Sequence, residues 1–331
     1  MGKITFEDLK TYKGFEEIDK KVEFINNNRW VCEEVIRELN RAIDLDYVNQ
    51  SEKVELNTEH ELHGFQLEDR IKVFRSEPMP PFKRMREVKS QEEYKEIITE
   101  QRDASSIVIY KENGTVNPDV VMYKPSGHLK ALDYALAQAR EERKLILQGE
   151  KPDMDCDFIE YVNERLISKL LAGGPTAGYG RFRRRVFRYG QIDEMNVRLS
   201  GAKFETTPGF LVDEEMHELV KEYNESELHP IAKAIVFKIK FVKIHPFSDF
   251  NGRTSRILFN YMLVRYGIPT VTIKGKQREF YISAMEKAIT EDDYSDIIEL
   301  VKKLLNKRCD KYIACIEEAI AEKNKNNDET F

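Results

Sequence analysis

Residues 245–256 read HPFSDFNGRTSR and bring together the side chains that phosphate transfer needs. His245 carries an imidazole, which can take a proton from a hydroxyl near neutral pH. Asp249 offers carboxylate oxygens, the type of ligand that Mg²⁺ prefers. Arg253 and Arg256 are three residues apart, so on a helix they share one face and can both bind phosphate oxygens. The spacing therefore indicates a base, a metal ligand and a phosphate clamp in one short segment.

The neighbouring residues favour an anion site at the start of a helix. Pro246 ends a long apolar segment that begins at His229, so His245 is expected at a helix terminus. A helix that begins near Gly252 would present unpaired N–H groups and the positive end of its dipole to an anion. Gly252 also lets the backbone approach a ligand closely, and the amide of Asn251 can hold the loop. Taken singly, these residues could equally be a helix cap, a turn residue and surface charges.

The surrounding chain is predicted to be mostly helical, because apolar residues recur at spacings of three and four. Between residues 71 and 126 the pattern changes: PMPPF excludes a regular helix, and Asn113-Gly114 lies at the centre of a run typical of a β-hairpin. The predicted helices cover residues 15–45, with a division at 26–28, and residues 51–68, 128–147, 157–174, 213–223, 229–244, 254–266, 279–289 and 294–321.

Composition narrows the class of protein. A length of 331 residues allows one large domain, or a domain with appendages, and 41% apolar with 34% charged residues indicates a globular chain. A net charge of −6 argues against a dedicated nucleic-acid binder, so we interpret the basic run GRFRRRVFRYG as an extended segment with outward arginines. No run is apolar enough to span a bilayer, and four scattered cysteines fit reduced thiols. We expect a soluble cytoplasmic protein.

Residues 245–256 resemble the Fic family motif, H-P-F-x-[D/E]-G-N-G-R-x-x-R. Every fixed position matches except the first glycine, which is Phe250 here. The resemblance implies a mainly α fold, a Fic helical bundle core with a β-hairpin flap, which we place at residues 196–206. The implied organisation is an N-terminal helical region carrying an inhibitory helix (1–64), an insertion with a β-hairpin (65–125), the Fic core (126–305), and a C-terminal helix with a frayed tail (306–331).

The resemblance implies an activity as well. Fic proteins usually transfer AMP from Mg-ATP to a Ser, Thr or Tyr hydroxyl of a target protein and release pyrophosphate. By the family pattern His245 is the general base and Asp249 holds the Mg²⁺, while the target's main chain would lie along the flap as an added strand. The residues that the resemblance assigns to the nucleotide are Phe250, Asn251, Gly252, Arg253, Arg256, Asn260 and Tyr281.

Many family members also carry an inhibitory motif, [S/T]-x-x-x-E-[G/N], before the core. Ser51 and Glu55 fit it, with Leu56 in the final position; Glu61 with Asn57 fits less well. The resemblance implies that Glu55 pairs with Arg256 and removes the γ-phosphate clamp. In some members the same glutamate serves in removing AMP, so the direction of reaction and self-modification stay open. Because relatives with this helix often dimerise, a homodimer is a further expectation.

Phe250 opens two alternatives. A glycine at this position permits φ above zero, whereas a phenylalanine restricts the loop and could crowd the nucleotide. The protein could therefore transfer a different phosphate-containing group, or it could be a catalytically impaired binding or toxin-type module. A nucleic-acid-binding regulator that uses residues 181–188 is a third and weaker reading.

Overall fold

The fold was analysed in a computed structural model that describes residues 2–56, 125–166, 186–188, 191–193, 202–247 and 250–328. Over these residues the chain is mainly helical. The helices are α1 Phe6–Leu9, α2 Glu16–Asn28, α3 Glu33–Leu56, α4 Pro125–Leu147, α5 Cys156–Leu166, α6 Val212–Glu225, α7 Pro230–Ile244, α8 Asn251–Arg265, α9 Arg278–Glu291 and α10 Ser295–Asp328. Two 3₁₀ turns, Arg29–Cys32 and Gly275–Gln277, precede α3 and α9.

Apart from the short α1, which was not predicted, the predicted helices agree with these elements in order wherever the structure describes them. The division predicted at residues 26–28 is present, since α2 ends at Asn28 and a 3₁₀ turn follows. The helix predicted to begin at Ser51 does not begin there, because α3 runs through that residue without a break. The end of that prediction lies outside the described residues, as does the hairpin expected at Asn113-Gly114.

A short hairpin is the sheet structure of the described residues. Strands β1 Val186–Arg188 and β2 Gln191–Asp193 pair antiparallel, with Phe187 opposite Ile192. The strand β1 falls in the basic run, in agreement with its reading as an extended segment. The flap was predicted at residues 196–206; of these, residues 202–206 form no strand and the others lie outside the described residues.

The central helices are α7 and α8, which lie side by side with α4 and α5 on the far face of α8. Both helices are buried around most of their circumference, as the apolar run of α7 predicted. At its C-terminal end α8 is fixed to α4 by Arg265, whose Nε lies 2.7 Å from Glu142 Oε2. The hydroxyl of Tyr261 donates to the same carboxylate oxygen at 2.6 Å. These buried contacts join the C-terminal part of α8 to α4.

Two further observations concern the cysteines and the helices' ability to span a membrane. The four cysteines are all free thiols. Across the described parts of the chain, every helix is too short or too polar to cross a membrane.

Candidate active site

The candidate site lies in the loop that joins α7 to α8. His229 caps α7 through Nδ1, which accepts from the N–H of Ile231 at 3.2 Å, and Pro230 occupies the first helical position. The helix ends at His245, which has a left-handed backbone conformation with φ 54° and ψ 58°. A left-handed residue followed by Pro246 cannot continue the helix. His245 therefore lies at a helix terminus, as predicted.

The residue at the other end of the loop also has a left-handed backbone conformation. Phe250 has φ 63° and ψ 13°, and its carbonyl accepts from the N–H of Thr254 at 2.8 Å. This is the conformation that a glycine would supply without strain, so the phenylalanine does not abolish it. The ring of Phe250 lies against Arg253, with 4.0 Å between its centroid and Cζ. At this distance the guanidinium and the aromatic ring make a cation–π contact.

Asn251 closes the loop upon itself. Its Nδ2 donates to the carbonyl of Phe247 at 2.8 Å, and its Oδ1 accepts from the Phe247 N–H at 2.8 Å. Asn251 is 2% exposed, so these two bonds satisfy an amide that could not otherwise be buried. The loop-holding role expected of Asn251 thus has a geometric basis. Asp249, the expected metal ligand, lies outside the described residues.

Arg256 connects the site to helix α3. Its side chain is 4% exposed, and its Nε donates to Ser51 Oγ at 2.8 Å. Its Nη2 donates to Glu55 Oε1 at 2.6 Å and to the Ser51 carbonyl at 3.1 Å. Burial lowers the pKa of Arg256, but Glu55 and nearby tyrosine hydroxyls outweigh that effect and raise it above its ordinary value. Arg256 is therefore a permanent cation that the C-terminal part of α3 satisfies.

The carboxylate of Glu55 lies over the first turn of α8. A Cβ added at Gly252 would collide with Glu55 Oε1 and would lie 3.3 Å from Arg256 Nη1. Burial raises the pKa of Glu55, but the charges of Arg256, Arg253 and His128 overcome this and lower it. An anionic carboxylate thus occupies the space beside a helix N-terminus and two arginines. Phosphate oxygens fit the same space by charge and by hydrogen-bond type.

A buried lysine beneath this turn was missed by the sequence analysis. Lys238 is 2% exposed and its Nζ lies 3.4 Å from Ser255 Oγ, between the rings of Phe259 (5.5 Å) and Tyr281 (5.3 Å). Burial lowers the pKa of Lys238 well below its ordinary value, and the charge of Arg256 adds to the effect. Lys238 precedes His245 by seven residues and so shares its helix face, but this spacing alone does not predict that it is buried.

Lys238 supports the backbone of the anion site through Ser255. The hydroxyl of Ser255 donates to the carbonyl of Gly252 at 2.8 Å, so its oxygen is the acceptor for the lysine. One of the two rings beside Lys238 belongs to Tyr281, which is itself buried. Burial raises the pKa of Tyr281 to about 12, against the opposing charge of Arg256, so this hydroxyl stays protonated at neutral pH.

Asn260 lies one turn beyond Arg256 and has a different set of partners. Its Nδ2 donates to the carbonyl of Val271 at 3.0 Å, and its Oδ1 accepts from the Val271 N–H at 2.9 Å. The residue is 1% exposed. Both ends of the amide are thus engaged with the backbone after α8, whereas the resemblance assigned Asn260 to the nucleotide.

Comparison with known proteins shows which family this chain is similar to. Residues 153–263 match the model of the Fic/DOC family. Protein adenylyltransferase Fic from Drosophila virilis is 31% identical to this chain over 196 residues, which are 54% of this chain and 39% of that protein. The corresponding protein from Drosophila willistoni is 40% identical over 95 residues, 29% of this chain and 19% of that protein. The chain thus spans about two fifths, or less, of the length of these curated relatives.

Solved structures share the fold. A Fic domain containing signaling protein from Bacteroides thetaiotaomicron aligns with a TM-score of 0.59 and 16% identity, over 92% of this chain and 97% of that chain. Fic-1 from C. elegans aligns with a TM-score of 0.53 and 19% identity, over 93% of this chain and 75% of that chain. At these identities the likeness concerns the fold alone, which is a mainly α, Fic-like helical fold.

Proposed function

We propose that this Fic/DOC family protein, a distant homologue of the Fic protein adenylyltransferases, is an autoinhibited protein adenylyltransferase. It transfers AMP from ATP to a Ser, Thr or Tyr hydroxyl of a target protein. The observation that carries the proposal is the position of Glu55, whose carboxylate lies over Gly252 and pairs with Arg256 at 2.6 Å. An intramolecular anion in that space is what inhibition of a phosphate-binding site requires.

The chemical step follows from the residues around the loop. The hydroxyl oxygen of the target forms a bond to the α-phosphorus, and the bond from that phosphorus to the bridging oxygen breaks. Pyrophosphate leaves, and His245 accepts the hydroxyl proton. Because His245 ends α7, the negative end of the helix dipole favours the imidazolium that forms. Arg253 and Arg256 neutralise the charge that develops on the leaving pyrophosphate.

Magnesium is assigned by the motif alone. Bound Mg²⁺ supplies charge neutralisation to the phosphate oxygens, and Asp249 is the residue that the motif gives it. Within the described residues no group of three or more His, Cys, Asp or Glu side chains is arranged to hold a metal ion. The proposal therefore relies on the anion site, for which the residues present are suited.

A second candidate is an impaired module that binds nucleotide without turnover. The stack of Phe250 on Arg253 is the observation that favours it, because the ring restrains one of the two expected phosphate clamps. Substitution of Phe250 tests whether its ring obstructs the binding of phosphate by Arg253.

The proposal is tested by incubating the chain with ATP labelled on the α-phosphate. Wild type is compared with Glu55→Gly and with His245→Ala, each alone and combined. Glu55→Gly should increase labelling of the chain or of added proteins, and adding His245→Ala should remove it. Labelling that persists without His245 would refute its role as the base, and labelling unchanged by Glu55→Gly would refute inhibition. Nucleotide binding without labelling in every variant would favour the second candidate.

A further inference from the structure

We infer that residues 274–278, here called the latch, hold the last described turns of α3 and thereby set the position of Glu55. The latch comprises Lys274, the 3₁₀ turn Gly275–Gln277 and Arg278. The inference rests on the proposed function, in which Glu55 is the inhibitory residue. It adds a second set of contacts, separate from Arg256, that determines whether Glu55 reaches the anion site.

The latch contacts α3 at Gln50 and Val54, the residues that directly precede Ser51 and Glu55. The N–H of Gly275 donates to Gln50 Oε1 at 3.1 Å. The Nε of Arg278 donates to the carbonyl of Val54 at 2.7 Å. These two contacts lie one turn apart on α3, so the helix is fixed in rotation as well as in position.

The close approach of α3, and not the backbone conformation of the turn, explains why residue 275 is a glycine. Among the described residues the glycines with positive φ are Gly149 and Gly267, so the turn itself does not need a glycine at 275. A Cβ added at Gly275 would instead lie 2.9 Å from Lys53 Cβ, closer than real carbon atoms approach. The missing side chain is what allows α3 to lie against the latch.

Contact with α3 also explains why an arginine lies at position 278. It is the first residue of α9, where a cation opposes the helix dipole and is unfavourable. Its Nε instead donates to the carbonyl of Val54, in the last described turn of α3. A cation near the C-terminal part of a helix is favourable, so the arginine stabilises α3 at the expense of α9.

The latch is itself anchored to the core. Asn260 on α8 binds the N–H and the carbonyl of Val271, three residues before the latch. Arg308 on α10 donates to Thr272 Oγ1 at 3.1 Å, and the side chain of Gln277 accepts from the N–H of Lys274 at 2.9 Å. Helix α3 therefore lies against a fixed surface. Loss of the latch contacts would let α3 move away and would withdraw Glu55 from Gly252 and Arg256.

Hydrogen exchange of the 331-residue chain tests the contact between the latch and α3 without reference to activity. Exchange of the α3 amides from residue 48 to residue 56 is compared for wild type, Arg278→Met, Gly275→Ala and Arg278→Lys. Arg278→Met should speed exchange about five-fold, the equivalent of one lost hydrogen bond. Gly275→Ala should act in the same direction by a steric route, and Arg278→Lys should restore slow exchange. Lys276→Met is the matched control, since Lys276 is an exposed cation on the same turn.

Labelling with ATP then links the latch to Glu55. Arg278→Met should raise AMP transfer about five-fold when Glu55 is present, and it should change nothing in a Glu55→Gly background. A merely structural weakening would lower transfer in both backgrounds. Unchanged α3 exchange in both Arg278→Met and Gly275→Ala would overturn the latch, whatever the activity. Faster exchange with no AMP transfer in any variant would support the latch and refute the proposed function, so the two failures are distinguishable.

Discussion

The carboxylate of Glu55 and the Cα of Gly252 are so close that no side chain fits between them. The two residues are far apart in sequence and meet because α3 lies across the first turn of α8. The same relationship makes Gly252 the floor of the anion site. Its backbone is exposed to whatever anion replaces the carboxylate.

Gly252→Ala should block anion binding when Glu55 is absent. In a Glu55→Gly background the added methyl group would occupy the position of a phosphate oxygen and remove one charge-assisted hydrogen bond. We expect binding of an ATP analogue to weaken about ten- to hundred-fold, measured by calorimetry. Stability serves as the control, since alanine is favoured over glycine within a helix by about 0.5–1 kcal/mol. Equal affinity of the single and double variants would show that phosphate lies elsewhere.

Stability should depend on Glu55 only above acidic pH. The pKa of Glu55 is lowered from its ordinary 4.5, so the ionised form is favoured in the folded state. Its stabilisation is present above that ordinary value and disappears as the pH falls through the folded pKa. Urea unfolding of wild type and Glu55→Gln should therefore differ at pH 7 and converge toward pH 3. A difference that grows at low pH would mean that Glu55 is not held as an anion.

Lys238→Met should stabilise the protein most at low and neutral pH. The pKa of Lys238 is lowered by burial, so the unfolded chain binds a proton more readily than the folded one. Wild-type stability therefore rises relative to the methionine variant as the pH increases toward the ordinary lysine value of 10.5. Thermal unfolding at pH 7 and pH 10 measures the difference. If the advantage of the methionine variant over wild type were the same at both pH values, the pKa of Lys238 would not be lowered in the folded state.

Burial of Lys238 is expected to lower the free energy of unfolding, but the residue can still have a function. Through Ser255 it supports the carbonyl of Gly252, so Lys238→Met should also weaken binding of the ATP analogue. Ser255→Ala is the matched variant, because it removes the link and keeps the lysine. Reduced affinity in both variants would assign Lys238 a positioning role in the anion site.

Phe250→Gly should leave stability nearly unchanged. A left-handed phenylalanine costs about 1–2 kcal/mol, and its stack on Arg253 offsets about 0.5–2 kcal/mol of that strain. Phe250→Leu loses the stack and keeps the strain, so it should be the less stable variant in urea. The AMP-transfer proposal requires that Phe250→Gly and wild type, each combined with Glu55→Gly, label comparably with ATP. Labelling that appears only with Phe250→Gly would favour the impaired module.

Asn260→Ala should destabilise the fold by about 2–4 kcal/mol, because it leaves a buried N–H and a buried carbonyl of Val271 without partners. Denaturant unfolding in the presence and absence of nucleotide should show the same loss. A variant of normal stability with weaker nucleotide binding would instead support the adenine contact that the family resemblance implies.

The local pattern of the sequence was sufficient to predict the junction of α7 and α8. Pro246 and the apolar run before it mark one boundary, and Gly252 with the following arginines marks the other. The structure begins α8 at Asn251, close to the start expected near Gly252 and three residues before the helix predicted over residues 254–266, because Phe250 takes the left-handed capping position. No propensity favours a phenylalanine there, so the loop geometry could not be inferred from its sequence.

The other features of the candidate site depend on contacts between residues that are far apart in the sequence, which a local pattern does not predict. The inhibitory motif predicted that Glu55 would meet Arg256, and the structure brings them together; their roles remain predictions. The latch contacts join residues 224 and 225 positions apart and carry no sequence motif. Lys238 looked like one of several lysines in an apolar run. Its burial depends on α8 and α9 packing over it, which a helical period alone does not specify.

Because Arg256 is buried, the anion site favours the exchange of one bound anion for another over the loss of an anion without replacement. With its side chain 4% exposed, the guanidinium cannot turn to water for a counter-charge when Glu55 departs. Departure of the carboxylate and arrival of a phosphate are therefore coupled events, each easier when the other occurs. Under the proposed function, small multivalent anions in the surrounding solution would compete for the same site, and the inhibited state would then depend on the ionic composition of the medium.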